Sequence, residues 1–525
     1  MNFADFGRIN ALKYPDEEFF IELTPSKNRR RSLTWKEFNE QTNRVANFLR
    51  EKFGVQKGDT VLHLQMNSVE WYVTYFGVLK TGAAVVPLNY RFASQDIEFA
   101  ANATEPKAFI LGDGFLPKVQ PAQDNMPTIK NYICVGENVP DDMISYDEVM
   151  KASPEDFVAD VDDDDMAELM FTSGTTGKPK PVCQAHKTLF QIGVAVGLTY
   201  NDGYDTTYLA AHPFYHSGSM FLSFPSYMAG GKIVCLLELS KPNYLLDAIS
   251  QEKVTSGWVT VPTMSDTVEA VKRGDIDLSK YDFSRTRYVV IGAQPVPHSL
   301  FEDIKRLFPF KTGNIYGITE GGGGGSFNLY DEDVLRKPGS IGKPTFGVEA
   351  KVVDFEGKEV PVGEVGELIF KAPRLMKEYF KNPEKTAETI KDGWLYTGDL
   401  VRKDEEGYYY IADRKKDLII RGGENIFPAE IEDFLHKNPK IADVAVIGYP
   451  HERLVEIAMA IIQLKPGETM TEQEVIDFCK EGGLAKYKWP EKIVFAEVPR
   501  NPSGKIEKPK LREKYIGKKT TVPTP

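Results

Sequence analysis

What the chain lacks bounds it first. It has no CxxC pair: its four cysteines, Cys134, Cys183, Cys235 and Cys479, stand far apart, which argues against a zinc ribbon or a disulfide framework and suits buried thiols in a reducing compartment. It has no unbroken apolar run. The most apolar region, Tyr208 to Leu239, is interrupted by Pro213, Pro225, Gly230 and Gly231 and carries His212, His216 and Lys232, so no transmembrane segment is expected. The N-terminus places Asp5 and Arg8 where a signal peptide needs an apolar core, and the expected location is the cytoplasm. There is no basic excess. A formal net charge of −12 argues against a nucleic-acid partner while leaving room for small anions held by local lysines.

What is there suits a large globular enzyme. With 525 residues, 42% hydrophobic and 27% charged, the chain is too long for one core, and at least two domains are expected. Up to about residue 320, short apolar runs (Thr60 to Leu64, Ala84 to Leu88, Ala108 to Leu111, Tyr132 to Val135, Arg287 to Ile291) alternate with helical patterns such as Val69 to Leu79. That alternation predicts an α/β fold of helix-covered, mainly parallel sheets. From Gly339 to Lys371, short strands separated by glycine turns predict a small antiparallel, barrel-like subdomain. After Lys415 a helix over Pro428 to His436 and strands over Val444 to Ile447 and Ile457 to Leu464 predict a small, mobile α+β C-terminal domain. The expected division is residues 1–415 and 416–525.

The segment Phe171 to Lys180, FTSGTTGKPK, gathers residues suited to enclosing phosphates. Gly174 and Gly177 let backbone N–H groups converge, Thr172, Ser173, Thr175 and Thr176 bring hydroxyls, and Lys178 and Lys180 bring charge. It is not a GxxxxGK[ST] loop, because Pro179 follows Lys178. A Ser/Thr/Gly-rich stretch is also an ordinary surface turn. The flanking pattern, a strand over Ala167 to Phe171 and a helix from His186, predicts a strand–loop–helix context of the kind phosphate sites favour. The acidic run Asp160 to Asp165 is expected to be a solvated linker.

Three further segments carry polar groups on glycine-rich or apolar backgrounds: NIYGITE (Asn314 to Glu320), YTGDL (Tyr396 to Leu400) and PRNPSGKI (Pro499 to Ile506). Each alone is far more often a solvated loop than a site. Together with FTSGTTGKPK and DRKKDLIIRGGENIFPAEIE, in this order, they resemble the adenylate-forming superfamily of acyl-CoA and aryl-CoA synthetases, luciferases and peptide-synthetase adenylation domains. The resemblance runs from about Trp35 to Leu511.

The resemblance implies roles at matching positions. Thr172 to Lys178 would enclose the phosphates of ATP. Tyr316 would stack on adenine beside Gly317, Thr319 would bond the α-phosphate, and Glu320 would hold Mg²⁺. Asp399 would accept both ribose hydroxyls with Arg414 assisting. Lys505 would bridge the substrate carboxylate and the α-phosphate. Lys416 would be the pivot, with Gly422 and Gly423 guiding the thiol of coenzyme A between the two half-reactions. His216 would gate the acyl site beside Gly292, Ala293 and Gln294, whereas His212 is expected to be structural. Trp258 and Val261 to Thr263 would approach the pocket or simply pack the core.

Two departures from the pattern stand out. Pro181 replaces the glycine usual after the loop lysine, fixing φ and removing a donor. The run Gly321 to Gly325 lacks the larger side chains seen elsewhere. It is either a flexible loop or an acyl-site wall left roomy by absent side chains, in which case leucine at Gly321 or Gly322 should favour smaller acids.

The implied reaction joins a carboxylic acid to CoA with ATP, through an acyl-adenylate, releasing AMP and pyrophosphate, on an apolar fatty, alicyclic or aromatic acid. The alternatives are a standalone adenylating enzyme that loads a carrier protein or an amine, and a catalytically dead nucleotide-binding scaffold. The expected partners are the carboxylic acid, ATP and CoA, with a homodimer allowed.

Overall fold

The parallel sheets expected from alternating β-branched runs and helices are the framework of the computed structural model, which describes residues 1–172, 179–292, 294–323, 325–422, 424–500 and 506–517. The chain forms two compact units. Among the described residues the larger runs to Ala350 and includes Phe370–Leu395, and the smaller takes Lys351–Ile369 and the chain from Tyr396 onward.

One sheet of the larger unit runs Lys311–Tyr316, Tyr288–Gly292, Ser256–Thr260, Thr207–Ala210, Lys232–Leu236 and Glu18–Thr24, each pair of neighbours parallel. This parallel run is flanked by antiparallel partners, Arg29–Thr34 on one side and Phe327–Tyr330 on the other, and the sheet continues from the latter to Ser340–Pro344. The second sheet has the order Glu378–Tyr379, Lys180–Ala185, Met166–Thr172, Ala84–Pro87, Thr60–Leu64, Ala108–Gly112, Asn131–Val135 and Ile144–Ser145. The strands are apolar on both faces because helices cover both. Val69–Lys80 is buried along nearly its whole length, starting where the Ser68 hydroxyl accepts the Trp71 N–H. Trp35–Phe53 begins at a capping box between Thr34 and Glu37 and ends at Gly54 in the left-handed conformation. Aromatic side chains from these helices and from Ser217–Ala229, among them Trp71, Phe76 and Tyr227, fill one continuous core.

The phosphate-loop context differs from the strand–loop–helix expected. Residue 172 is followed, beyond the segment 173–178, by a second strand, Lys180–Ala185, antiparallel to Met166–Thr172. The helix His186–Tyr200 therefore starts at the end of Lys180–Ala185 away from Thr172, where the His186 N–H donates to the Asp165 carbonyl. The short run KPVCQA carries too little alternation to separate it from the helix that follows.

Pro181 fits this hairpin. Its carbonyl accepts the Phe380 N–H at 2.9 Å. In an antiparallel strand a residue's N–H and C=O point to the same side, so the donor proline lacks would face the 378–380 segment. The ladder to Met166–Thr172 keeps all its donors, and proline is tolerated because the strand it fails to serve spans two residues.

The acidic run is tied down rather than merely solvated. Asp163 pairs with the N-terminal ammonium at 2.8 Å, Lys57 bridges Asp162 and Asp165, and Lys187 pairs with Asp164. All four cysteines are free and buried. No helix among the described residues is long and apolar enough to cross a membrane.

The smaller unit carries the antiparallel pair Trp394–Lys403 and Tyr409–Arg414, and a sheet ordered Glu424–Ile426, Ile419–Arg421, Val455–Leu464 and Ile441–His451, with Lys492–Phe495 parallel to Val455–Leu464. Pro428–Leu435 and Glu472–Glu481 cover one face over Ile419, Val444 and Ile462. The packing division falls ahead of residue 415. One reason is Asp413, on the Tyr409–Arg414 strand, whose Oδ2 accepts the Ala429 N–H at 2.8 Å and fastens that strand to the first turn of Pro428–Leu435.

Candidate active site

In the larger unit the expected residues gather at the C-terminal ends of parallel strands, where α/β sheets hold their ligands. Lys311–Tyr316 ends at Tyr316, whose ring meets Phe327 edge-on at 5.7 Å. A single helical turn, Thr319–Gly321, follows. Three elements hold it. The Gln184 side-chain amide donates to the Thr319 carbonyl at 2.8 Å, the Thr319 and Ser217 hydroxyls lie 3.2 Å apart, and the Met376 N–H donates to the Glu320 carbonyl at 2.8 Å. The Glu320 carboxylate accepts the Tyr379 hydroxyl at 2.8 Å through Oε1. Lys180 lies over the same tyrosine ring, 5.7 Å from its centroid, and its pKa is lowered by burial. Thr172 pairs with Lys180 across the hairpin, so the hairpin end and the Thr319–Glu320 turn share Gln184 and Tyr379 as neighbours.

Gly292 ends its strand between Thr260 and Ile315, where a Cβ would stand 2.8 Å from the Ile315 side chain and 3.2 Å from the Trp258 indole nitrogen. Gln294 is half-buried beside it. His216 caps the helix Ser217–Ala229, its Nδ1 accepting the Gly218 N–H at 3.1 Å, and stacks on Trp258 at 6.0 Å. His212 is structural as expected. Its Nε2 accepts the Thr260 N–H at 3.0 Å, and burial pushes its pKa down to about 3, so it is neutral.

The glycine run is closely packed. Gly321 and Gly322 are buried, and a Cβ on Gly321 would lie 2.5 Å from the Phe370 ring. At Gly322, φ is +81° and a Cβ would lie 2.6 Å from the Arg374 carbonyl. Side chains there would meet protein atoms at close range. Gly322 lies against Arg374, which is 2% exposed and donates to the Gly325 carbonyl at 3.2 Å and to the Thr345 hydroxyl at 2.8 Å.

The smaller unit carries the second group. Asp399 and Arg414 are register partners on adjacent strands, and their side chains form an ion pair at 2.5 Å with Asp399 only 2% exposed. Lys416 follows in a short turn, and its pKa is lowered by burial. Both its neighbours are anchored: Lys415 pairs with Glu367 at 2.8 Å and Asp417 with Arg512 at 2.7 Å. Gly422 donates its N–H to the Leu454 carbonyl at 2.8 Å. Flanking the Lys505 segment, Arg500 and Ile506 pair as an isolated antiparallel bridge.

Ser173, Gly174, Thr175, Thr176, Gly177, Lys178, Ala293, Gly423 and Lys505 lie outside the described residues. Tyr379, Gln184, Ser217 and Arg374 escape sequence reasoning, because each acts on a distant segment and no local spacing marks it.

Comparison with known proteins gives the family. Residues 8–380 match the AMP-binding enzyme family and residues 430–505 the AMP-binding enzyme C-terminal domain. A long-chain-fatty-acid–CoA ligase of Mycobacterium tuberculosis is 34% identical over 523 residues, covering 98% of each chain. A fatty acid–acyl-carrier-protein ligase of Streptomyces coeruleorubidus is 32% identical over 93% of this chain and 92% of that one. The structure of o-succinylbenzoate CoA synthetase from Bacillus subtilis with its acyl-adenylate intermediate superposes with a TM-score of 0.83 at 28% identity, covering 97% of each chain. The chain belongs to the AMP-binding enzyme family, in its acyl-CoA synthetase branch.

Proposed function

We propose that the protein is an ATP-dependent carboxylic acid–CoA ligase acting on an apolar fatty, alicyclic or aromatic acid. The observation that carries this reading is the Thr319–Glu320 turn, fixed from three sides at the ends of parallel strands within a full-length match to AMP-forming ligases. The substrate carboxylate attacks the α-phosphorus of ATP, pyrophosphate leaves, and a thiol then attacks the acyl-adenylate with AMP leaving. Tyr316 and Gly317 serve the adenine, Thr319 the α-phosphate, and the hairpin residues from Thr172 to Lys178 the remaining phosphates. Lys505 offsets the charge of the approaching carboxylate.

Glu320 suits Mg²⁺. Its Oε1 accepts from Tyr379, which orients the carboxylate as a hard oxygen ligand, and one carboxylate together with substrate phosphates is a usual magnesium set. The ion would neutralise charge on the leaving pyrophosphate. Asp399 serves the ribose, aligned by Arg414.

Lys416 is the pivot, and the two anchored residues beside it favour rotation confined to one position. The division at 415/416 belongs to this movement, with Gly422 and Gly423 reaching the thiol afterwards. His216, Gly292, Ala293 and Gln294 border the acid. A cytoplasmic location agrees with buried, unpaired cysteines.

A pyrophosphate-release screen over acids of graded length and ring size, with and without CoA, tests the reading. Acyl-CoA should form with one apolar class, and Lys505→Ala should bind ATP but lose most adenylation. Turnover that ignores CoA and needs a carrier protein would transfer the protein to the carrier-loading class, as the Streptomyces relative's name describes for that enzyme. Undiminished adenylation by Lys505→Ala would remove the lysine's role.

A further inference from the structure

Glu168 sits in Met166–Thr172, directly opposite Gln184 in Lys180–Ala185, and both are fully buried. Pro181 and Cys183 turn their carbonyls toward the 377–380 segment, so Gln184 turns its backbone toward Glu168 and the two form a hydrogen-bonded pair. Side chains of such a pair leave the same face with Cβ atoms about 5 Å apart.

Two of the four side-chain polar atoms on that face have partners. Tyr75 donates its hydroxyl to Glu168 Oε1 at 3.1 Å, and Gln184 Nε2 donates to the Thr319 carbonyl at 2.8 Å. The other two, Glu168 Oε2 and Gln184 Oε1, are buried acceptors with no donor. Buried acceptors left unsatisfied are costly, and two on one face of a cross-strand pair also repel when they approach. One proton satisfies both.

The surroundings favour that proton. Burial pushes Glu168 up to about 8, opposed only by the Tyr75 hydrogen bond. The titratable groups that interact with it are neutral near pH 7: burial raises Tyr75 well above its usual value and Cys183 to about 12. On the remaining side Glu168 is paired with Val85.

We propose that Glu168 is a positioning residue kept as a neutral acid, whose Oε2–H donates to Gln184 Oε1 and so orients the amide that holds the Thr319 carbonyl. An amide has one donor end and one acceptor end. An ionised Glu168 attracts the N–H end; the amide then presents its oxygen to the Thr319 carbonyl, and a bond becomes a repulsion. The turn bearing Thr319 and Glu320 loses its tie to the hairpin. The inference rests on reading that turn as part of the ATP site, but the proton itself is tested without turnover.

Infrared difference spectra of the whole protein, wild type against Glu168→Gln, should show a buried protonated-carboxyl band that the variant lacks. That band should fade in the wild type as pH rises through about 8. Glutamine at 168 still donates to Gln184 and accepts from Tyr75. The variant should therefore keep the neutral-pH KM for ATP and lose the alkaline rise expected of the wild type. Glu168→Leu should lower kcat/KM for ATP about tenfold at neutral pH, the effect of one lost hydrogen bond, and the gap to wild type should close as pH rises through about 8. Absence of the band, or an alkaline rise retained by Glu168→Gln, overturns the proposal. A band that behaves as expected in a protein that adenylates no acid supports the proton and sinks the ligase reading instead.

Discussion

Tyr379 donates its hydroxyl to Glu320 Oε1 at 2.8 Å, joining the two-residue strand Glu378–Tyr379 to the carboxylate proposed for Mg²⁺. Tyr379→Phe removes one hydrogen bond to a charged acceptor and leaves the ring beneath Lys180. Adenylation should fall about tenfold or more, with a higher Mg²⁺ concentration needed for half-maximal rate. An unchanged magnesium titration would show that the hydroxyl does not orient Glu320.

Arg414 leaves a buried carboxylate behind when removed. Asp399 is 2% exposed, while the arginine side chain is 39% exposed and partly screened, so Arg414→Ala should destabilise the smaller unit by about 2 kcal/mol and raise KM for ATP. Arg414→Lys keeps the charge but not the planar fork, and should restore stability better than affinity. Denaturant melts and ATP titrations read the two effects separately.

Leucine at Gly321 meets the Phe370 ring rather than open space. Gly321→Leu should lower the melting temperature and depress activity on every acid alike. A normal Tm with preference moved to shorter acids would restore the glycine run to the acyl wall.

Three buried imidazoles make the fold acid-sensitive. Burial lowers His63 and His212 to about 3 and His186 to about 4. The unfolded chain takes up protons from about pH 6.5 downward while these folded rings stay neutral, so their stabilisation is complete above that pH and is lost as pH falls toward 3 to 4. Each contributes a slope of up to about 1.4 kcal/mol per pH unit. Melting curves between pH 7 and 5 should steepen accordingly, and His212→Gln, whose amide oxygen can still accept from Thr260, should reduce the slope. An identical slope would place the acid sensitivity elsewhere.

Strands such as Thr60–Leu64 and the helix Val69–Lys80 were legible because burial on both faces leaves an apolar run that turn residues delimit. The motif residues Thr319, Glu320, Asp399 and Arg414 were legible from order along the chain. Lys180–Ala185 was not, since six residues that include a proline carry no strand signature of their own. Tyr379, Gln184 and Glu168 were hidden for a different reason: their significance lies in contacts across the sheet or to segments more than a hundred residues away in places, which only folding creates. What the glycine run packs against was not legible because an absent side chain looks the same whether the space is filled by ligand or by Arg374.

Pro181 has one more consequence. Sliding Lys180–Ala185 by a single residue along Met166–Thr172 would turn its imino nitrogen from the two-residue neighbour into the main ladder, where a donor is required, and would move Glu168 off Gln184. A residue that first looked like a blemish beside the phosphate segment thus acts as a register lock, admitting one alignment of the hairpin and penalising the next.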